Sequence, residues 1–220
     1  MISNSSEPSM QRTEQIKNVF RGMILLGKGR AEGINLFINS SESLLNALAP
    51  WIAFSFVTNI LIPLSSYNVQ TSKTLLLNLG FFLVNLCDVI VSIVIVQWYA
   101  NFWQKGNVWK RAGTAMLWCS WLPIIDFLFF VMLATILFLS SLKILTAFML
   151  IIAISCIVYT IWLMWFSIMH GLQIRKKQSV LVVLSIISTK VVMNLLFIML
   201  NYNVMIQYLN MFKQTGMIMH

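Results

Sequence analysis

The pattern of apolar and polar positions divides the 220-residue chain into long apolar runs separated by short polar joints. A helix that crosses a bilayer needs about 20 consecutive apolar residues. Five stretches meet that length: about 44–64, 75–98, 113–139 (interrupted by Pro123), 144–168 and 179–200. The joints are too short to fold alone. Ser140-Ser141-Leu142-Lys143 predicts a tight hairpin between the third and fourth spans, and no internal repeat is visible. The expected fold is all-α, a five-span integral membrane protein.

Before the spans, residues 1–12 read as a polar, disordered tail. Residues 13–38 read as an amphipathic segment. Ile16, Val19, Phe20, Met23 and Ile24 fall on one helical face, and Lys17, Arg21 and Lys28 on another. Such a helix suits an anionic membrane surface or the inner face of its own protein. Gly27, Gly29 and Gly33 predict a break. Asn39, with Glu42 three residues on, looks like a cap for the first span. The membrane domain covers 39–205, and 206–220 forms a C-terminal tail.

Composition agrees. Apolar residues make up 59% and charged residues 10%, against about 25% charged in soluble domains. The net charge of +9 does not point to nucleic acid, because the basic residues sit at span ends. Eleven of the fifteen lie in three segments: the N-terminal one, the joint with Lys105, Lys110 and Arg111, and the joint with Arg175, Lys176 and Lys177. The other joints and the tail carry only Lys73, Lys143 and Lys213. This asymmetry predicts a cytoplasmic N-terminus and an outer C-terminus. The first apolar cluster, Met23 to Leu26, is too short for a cleavable signal. All eight tryptophans fall toward the basic side, as an interfacial belt would.

Three ionisable residues lie mid-span: Asp88, Asp126 and Lys190. A lone charge there costs about 2.5–3.5 kcal/mol on insertion scales, so similar depth argues for mutual contact. Asn85, Asp88 and Ser92 share a face of the second span with Asn78. Lys190 and Asn194 share a stripe of the fifth with Asn201, and Cys119, Pro123 and Asp126 line up in the third. The cluster is either a structural ion-pair and amide network or a proton- or ion-linked site.

No nucleophile elbow, phosphate loop or HExxH motif is present, which argues against an enzyme. Cys87, Cys119 and Cys156 read as packing residues. His170 and His220 are placed on opposite sides, so no metal or cofactor is expected.

The third span, "WKRAGTAMLWCSWLPIIDFLFF", has a small-residue start, an aromatic patch and a central proline. The fourth and its exit, "IVYTIWLMWFSIMHGLQIRKKQSVLVVLSIISTKVVMNLL", end one span in a glycine turn and open the next through a basic joint. With the basic N-terminal segment, this resembles the Yip-domain family of five-span membrane proteins. Eukaryotic members act in vesicle trafficking with Rab-type GTPases. Bacterial members mostly have no assigned function. The resemblance implies a multi-pass protein of the bacterial cytoplasmic membrane. It would be a non-enzymatic organiser or accessory subunit whose basic face meets anionic lipid, a membrane-protein partner or a second copy. A small transporter or channel subunit built on Asp88, Asp126 and Lys190 is the alternative.

Overall fold

The computed structural model describes residues 7–62, 72–138 and 142–202. The hairpin turn before the fourth span, the C-terminal tail and the side chains of Lys73, Lys143 and Lys213 lie outside the described residues. The helices are α1 (Glu7–Gly27), α2 (Ser41–Phe56), α3 (Ser72–Phe102), α4 (Trp109–Cys119), α5 (Trp121–Phe138), α6 (Leu142–Leu172) and α7 (Lys176–Leu200). A 3-10 segment, Ala31–Leu36, follows α1, and a π-helical turn, Val57–Leu61, ends α2. No strand occurs among the described residues.

Five stretches are long and apolar enough to cross a membrane: Ser41–Leu61, Leu75–Phe102, Trp109–Ile136, Ala147–Leu172 and Lys176–Leu200. Their outward side chains are apolar, as in Leu76, Leu128, Ile136, Ile151, Val158 and Leu195. That pattern matches hydrocarbon rather than water outside. The chain is an all-helical, multi-pass membrane protein.

Several boundaries depart from the sequence pattern for local reasons. α1 begins at Glu7 rather than Thr13. The third span is two helices with a break at Ser120. Pro123 has no N–H for the Cys119 carbonyl, and its ring crowds that carbonyl. A new helix starts instead, with the proline in its first turn, where a missing donor costs nothing. Cys119 ends α4 and is buried, while within α5 Pro123 is buried and Asp126, three residues on, is exposed. The three residues therefore do not share one buried face. The basic joint is also shorter than expected, since Lys176 and Lys177 are the first turn of α7.

The described chain falls into two compact units, Met1–Ala47 with Val96–Val183, and Leu48–Ile95 with Leu184–His220. The core of the first unit is Met23, Leu26, Ile34, Phe37, Ala115, Cys119, Leu163 and Phe166. Trp118, Trp121, Trp162 and Trp165 pack half-buried against it. Four of the eight tryptophans thus line a core. Trp98, 58% exposed, remains outward. The close approaches use residues without bulk. A Cβ on Gly171 would lie 2.6 Å from the Ala112 Cβ, and one on Gly33 would lie 2.7 Å from the Gly22 carbonyl oxygen. Small residues at helix crossings are the usual means of tight packing in lipid.

In the second unit α3 and α7 pack through the Phe81 and Phe197 rings, 4.8 Å apart. Gly80 sits directly under Phe197, where a Cβ would come within 2.6 Å of the ring.

Candidate functional sites

Three helices of the first unit end in the same turn. Gly29, Gln104 and Gln173 each adopt positive φ (74°, 56° and 55°). The following amides reach back five residues: Arg30 N to Leu25 O at 2.8 Å, Lys105 N to Ala100 O at 2.7 Å, and Ile174 N to Met169 O at 3.1 Å. These are Schellman turns. Arg30 and Lys105 directly follow the left-handed residue, and Arg175 comes one later. Cations there complement the negative helix C-terminus. The fourth span was expected to end in a glycine turn at Gly171. The turn is instead made by Gln173, and Gly171 is used for the approach to Ala112.

Contacts within this unit gather the basic segments at one end. Ala112 against Gly171 places the joint with Lys105, Lys110 and Arg111 and the joint with Arg175, Lys176 and Lys177 at the same end of the α4–α6 pair. Asn39 ties in the N-terminal segment. Its Nδ2 donates to the Asn107 carbonyl, and its Oδ1 accepts from the Arg111 amide at 3.1 Å. Arg111 N is the third amide of α4, whose N-cap, Val108, has no side-chain acceptor. Asn39 therefore caps a helix distant in sequence. The first span is capped by Ser40, whose Oγ accepts from Ser43 N at 3.0 Å, and not by Asn39 with Glu42.

The start of α7 is held by a returning side chain, since Gln178 Oε1 accepts from Arg175 N at 2.9 Å. Ser179 Oγ donates to the Trp165 carbonyl at 2.8 Å, fixing α7 to α6. Arg175, Lys176 and Lys177 are exposed; Lys105, Lys110 and Arg111 are half-buried. Along α6, Tyr159, Trp162, Phe166 and His170 form a continuous aromatic stack, with centroids 5.9, 5.3 and 4.4 Å apart. Tyr159 donates its hydroxyl proton to the Gly27 carbonyl at 3.1 Å, which latches the end of α1.

The second unit holds most of the mid-span polar residues. Asn194 Nδ2 donates to Asp88 Oδ2 at 3.3 Å and to the Lys190 carbonyl at 2.9 Å. Asp88 and Lys190 lie within electrostatic reach of each other. Asp88 is the aspartate that shares a unit with Lys190. Its Oδ1 is buried with no hydrogen-bond partner among the described residues. Ser92 turns its hydroxyl onto its own helix, to the Asp88 carbonyl at 2.6 Å, and Asn201 does likewise to Phe197 O at 2.9 Å. Asp126 belongs to the first unit. It stands exposed on α5, with Cys156 and Tyr159 of α6 within its electrostatic reach.

Asn85 does not join the Asp88 bonds. It lines a cavity of about 190 Å³ with Ser55, Thr58 and Asn59. Asn59 Nδ2 donates to the Ser55 carbonyl at 2.8 Å, and Thr58 Oγ1 to the Phe54 carbonyl at 2.9 Å. These residues sit where α2 loosens into the π turn. Sequence reading passed over this trio. The signal was present as Ser55, Thr58 and Asn59, the only polar residues between Trp51 and Pro63. Among the described residues no group of three His, Cys, Asp or Glu side chains is placed to hold a metal.

No protein-family model, no curated protein and no solved structure matches this chain.

Proposed function

We propose that this protein is a non-enzymatic membrane organiser or accessory subunit of the Yip-like type, acting from a bacterial cytoplasmic membrane with its N-terminus inside. Its working surface is the basic end of the first unit, which meets the anionic headgroups of the inner leaflet and presents the same face to a membrane-protein partner. One observation carries this reading. Ala112 packed on Gly171 brings two basic joints together, and Asn39 adds the end of a third basic segment. Like charges side by side repel. Their assembly is favourable where an anionic surface neutralises them, at about 1 kcal/mol per basic residue.

The test is native mass spectrometry of the protein extracted with its own lipid. The wild type is expected to retain anionic phospholipid, and the Arg175→Gln/Lys176→Gln/Lys177→Gln protein to lose it while remaining folded. Equal retention of zwitterionic lipid alone by both would overturn the reading.

The second reading, a proton- or ion-linked transport subunit, is favoured by Asp88 Oδ1, buried within electrostatic reach of Lys190 and without a hydrogen-bond partner among the described residues. Reconstituted vesicles would then show a pH-dependent flux that Lys190→Met abolishes. A flux unchanged in a folded Lys190→Met protein removes that reading.

A further inference from the structure

The face that Ile16, Val19, Phe20, Met23 and Ile24 make on α1 is divided by burial. Val19 and Met23 turn inward with Leu26; Met23 and Leu26 are 2% and 0% exposed. Ile16, Phe20 and Ile24 turn outward and are 59%, 52% and 51% exposed. Their spacing of four places them in one stripe along the helix. Lys17, Arg21 and Lys28, all exposed, form the next stripe round. α1 therefore packs by one face and presents an apolar stripe flanked by cations on another.

The position of that stripe is informative. Ile16, Phe20 and Ile38 line a groove of about 360 Å³ together with Ser40, which caps α2, and Ser43 and Asn46 from its first turns. α2 begins the first membrane-spanning stretch. The foot of a spanning helix lies at the headgroup level. The outward stripe of α1 is thus joined to the place where acyl chains begin. Glu42 also lines the groove, so an anionic headgroup is favoured on the Lys17 and Arg21 side, with acyl chains against Ile16, Phe20 and Ile38.

We infer that α1 is an interfacial anchor for anionic phospholipid. Ile16, Phe20 and Ile24 enter the boundary between headgroups and acyl chains, and Lys17, Arg21 and Lys28 hold lipid phosphates. This rests on the reading of the basic face above and adds a specific lipid-binding element to it.

Hydrogen–deuterium exchange of the full-length protein in nanodiscs tests the inference. One set holds zwitterionic lipid alone, and the other adds phosphatidylglycerol. Amide exchange across residues 13–24 is expected to slow when phosphatidylglycerol is present, by about fivefold per engaged basic residue. Lys17→Gln/Arg21→Gln/Lys28→Gln should erase the difference between the two lipids. Phe20→Ser/Ile24→Ser should restore fast exchange in both. All these side chains are exposed, so the body of the protein should melt as the wild type does. Exchange at 13–24 that ignores both lipid and substitutions overturns the anchor. If phosphatidylglycerol is nevertheless retained through Arg175, Lys176 and Lys177, the anchor alone falls. If it is retained by neither, the reading of the basic face falls with it.

Discussion

Replacing Gly171 by alanine adds one methyl group at the tightest crossing in the first unit. The new Cβ would lie 2.6 Å from the Ala112 Cβ and 2.7 Å from its Cα. Neither atom can rotate away, so α4 and α6 must separate by roughly 1 Å to reach ordinary van der Waals contact. Overpacking of this kind costs about 1–3 kcal/mol. Helix propensity works the other way, since alanine is favoured over glycine by about 1 kcal/mol. Gly113→Ala supplies the control. Its Cβ would meet only Leu44 Cδ1, at 3.2 Å, the end of a side chain that can shift. Gly171 lies in the last turn of α6, so its propensity gain is no larger than that of Gly113. The difference between the two variants isolates the steric effect. About 2 kcal/mol corresponds to a gap of about 4–8 °C in Tm for a chain of this size. The assay is thermal melting of both purified variants in one detergent, with hydrogen exchange over 105–111 and 172–177 to locate the change. A Gly171→Ala protein that melts at or above Gly113→Ala would refute the close approach, and with it the argument that this crossing assembles the basic end.

Gln173→Gly is expected to stabilise, because a non-glycine residue in the left-handed region costs about 1 kcal/mol or more; a rise in Tm of about 2–4 °C checks it, and a fall would mean that the Gln173 side chain makes an offsetting contact. Asp88→Asn should destabilise by leaving Lys190 without its counter-charge, and Lys190→Met should cost less when made in the Asp88→Asn background. The double-mutant cycle is expected to give a coupling of about 0.5–3 kcal/mol, and a coupling of zero would separate the two residues energetically. Asp126→Leu should raise the Tm of the isolated protein, since a mid-span aspartate carries an insertion cost of about 2.5–3.5 kcal/mol and this one is exposed among Ile125, Leu128 and Phe129; a lower Tm would show that the carboxylate is satisfied within the fold.

The spans were legible because lipid imposes one strong rule, that a crossing segment must be apolar for its whole length. Five runs obeyed it, and five apolar helical spans follow them, the third broken once at Ser120. What escaped were decisions made by one or two atoms. The capping signature at Asn39 and Glu42 was correct in residue type and wrong in partner. An asparagine can cap any helix whose first amides it reaches, and sequence spacing reports only the nearest one. The same limit hid Gly171. Glycine near a helix end reads as a turn, yet the left-handed residue is Gln173, and Gly171 two positions earlier meets Ala112.

The mid-span charges show the limit at a larger scale. Depth was read for each of them, and azimuth only relative to its own helix, and neither chooses a partner on another helix. In the third span Asp126 faces outward from α5, although Pro123 three residues before it in the same helix is buried, and Cys119 points into the core of the first unit. In α3 and α7 the helices run unbroken past Asp88 and Lys190, the helical spacing holds, and Asn194 reaches Asp88. An uninterrupted helix carries its periodicity from one end to the other. The Asp88–Asn194–Lys190 group therefore follows from spacing within two continuous helices. Asp126 stands three residues from buried Pro123, at the edge of the face that α5 packs against α6, and spacing along one helix does not say where that face ends.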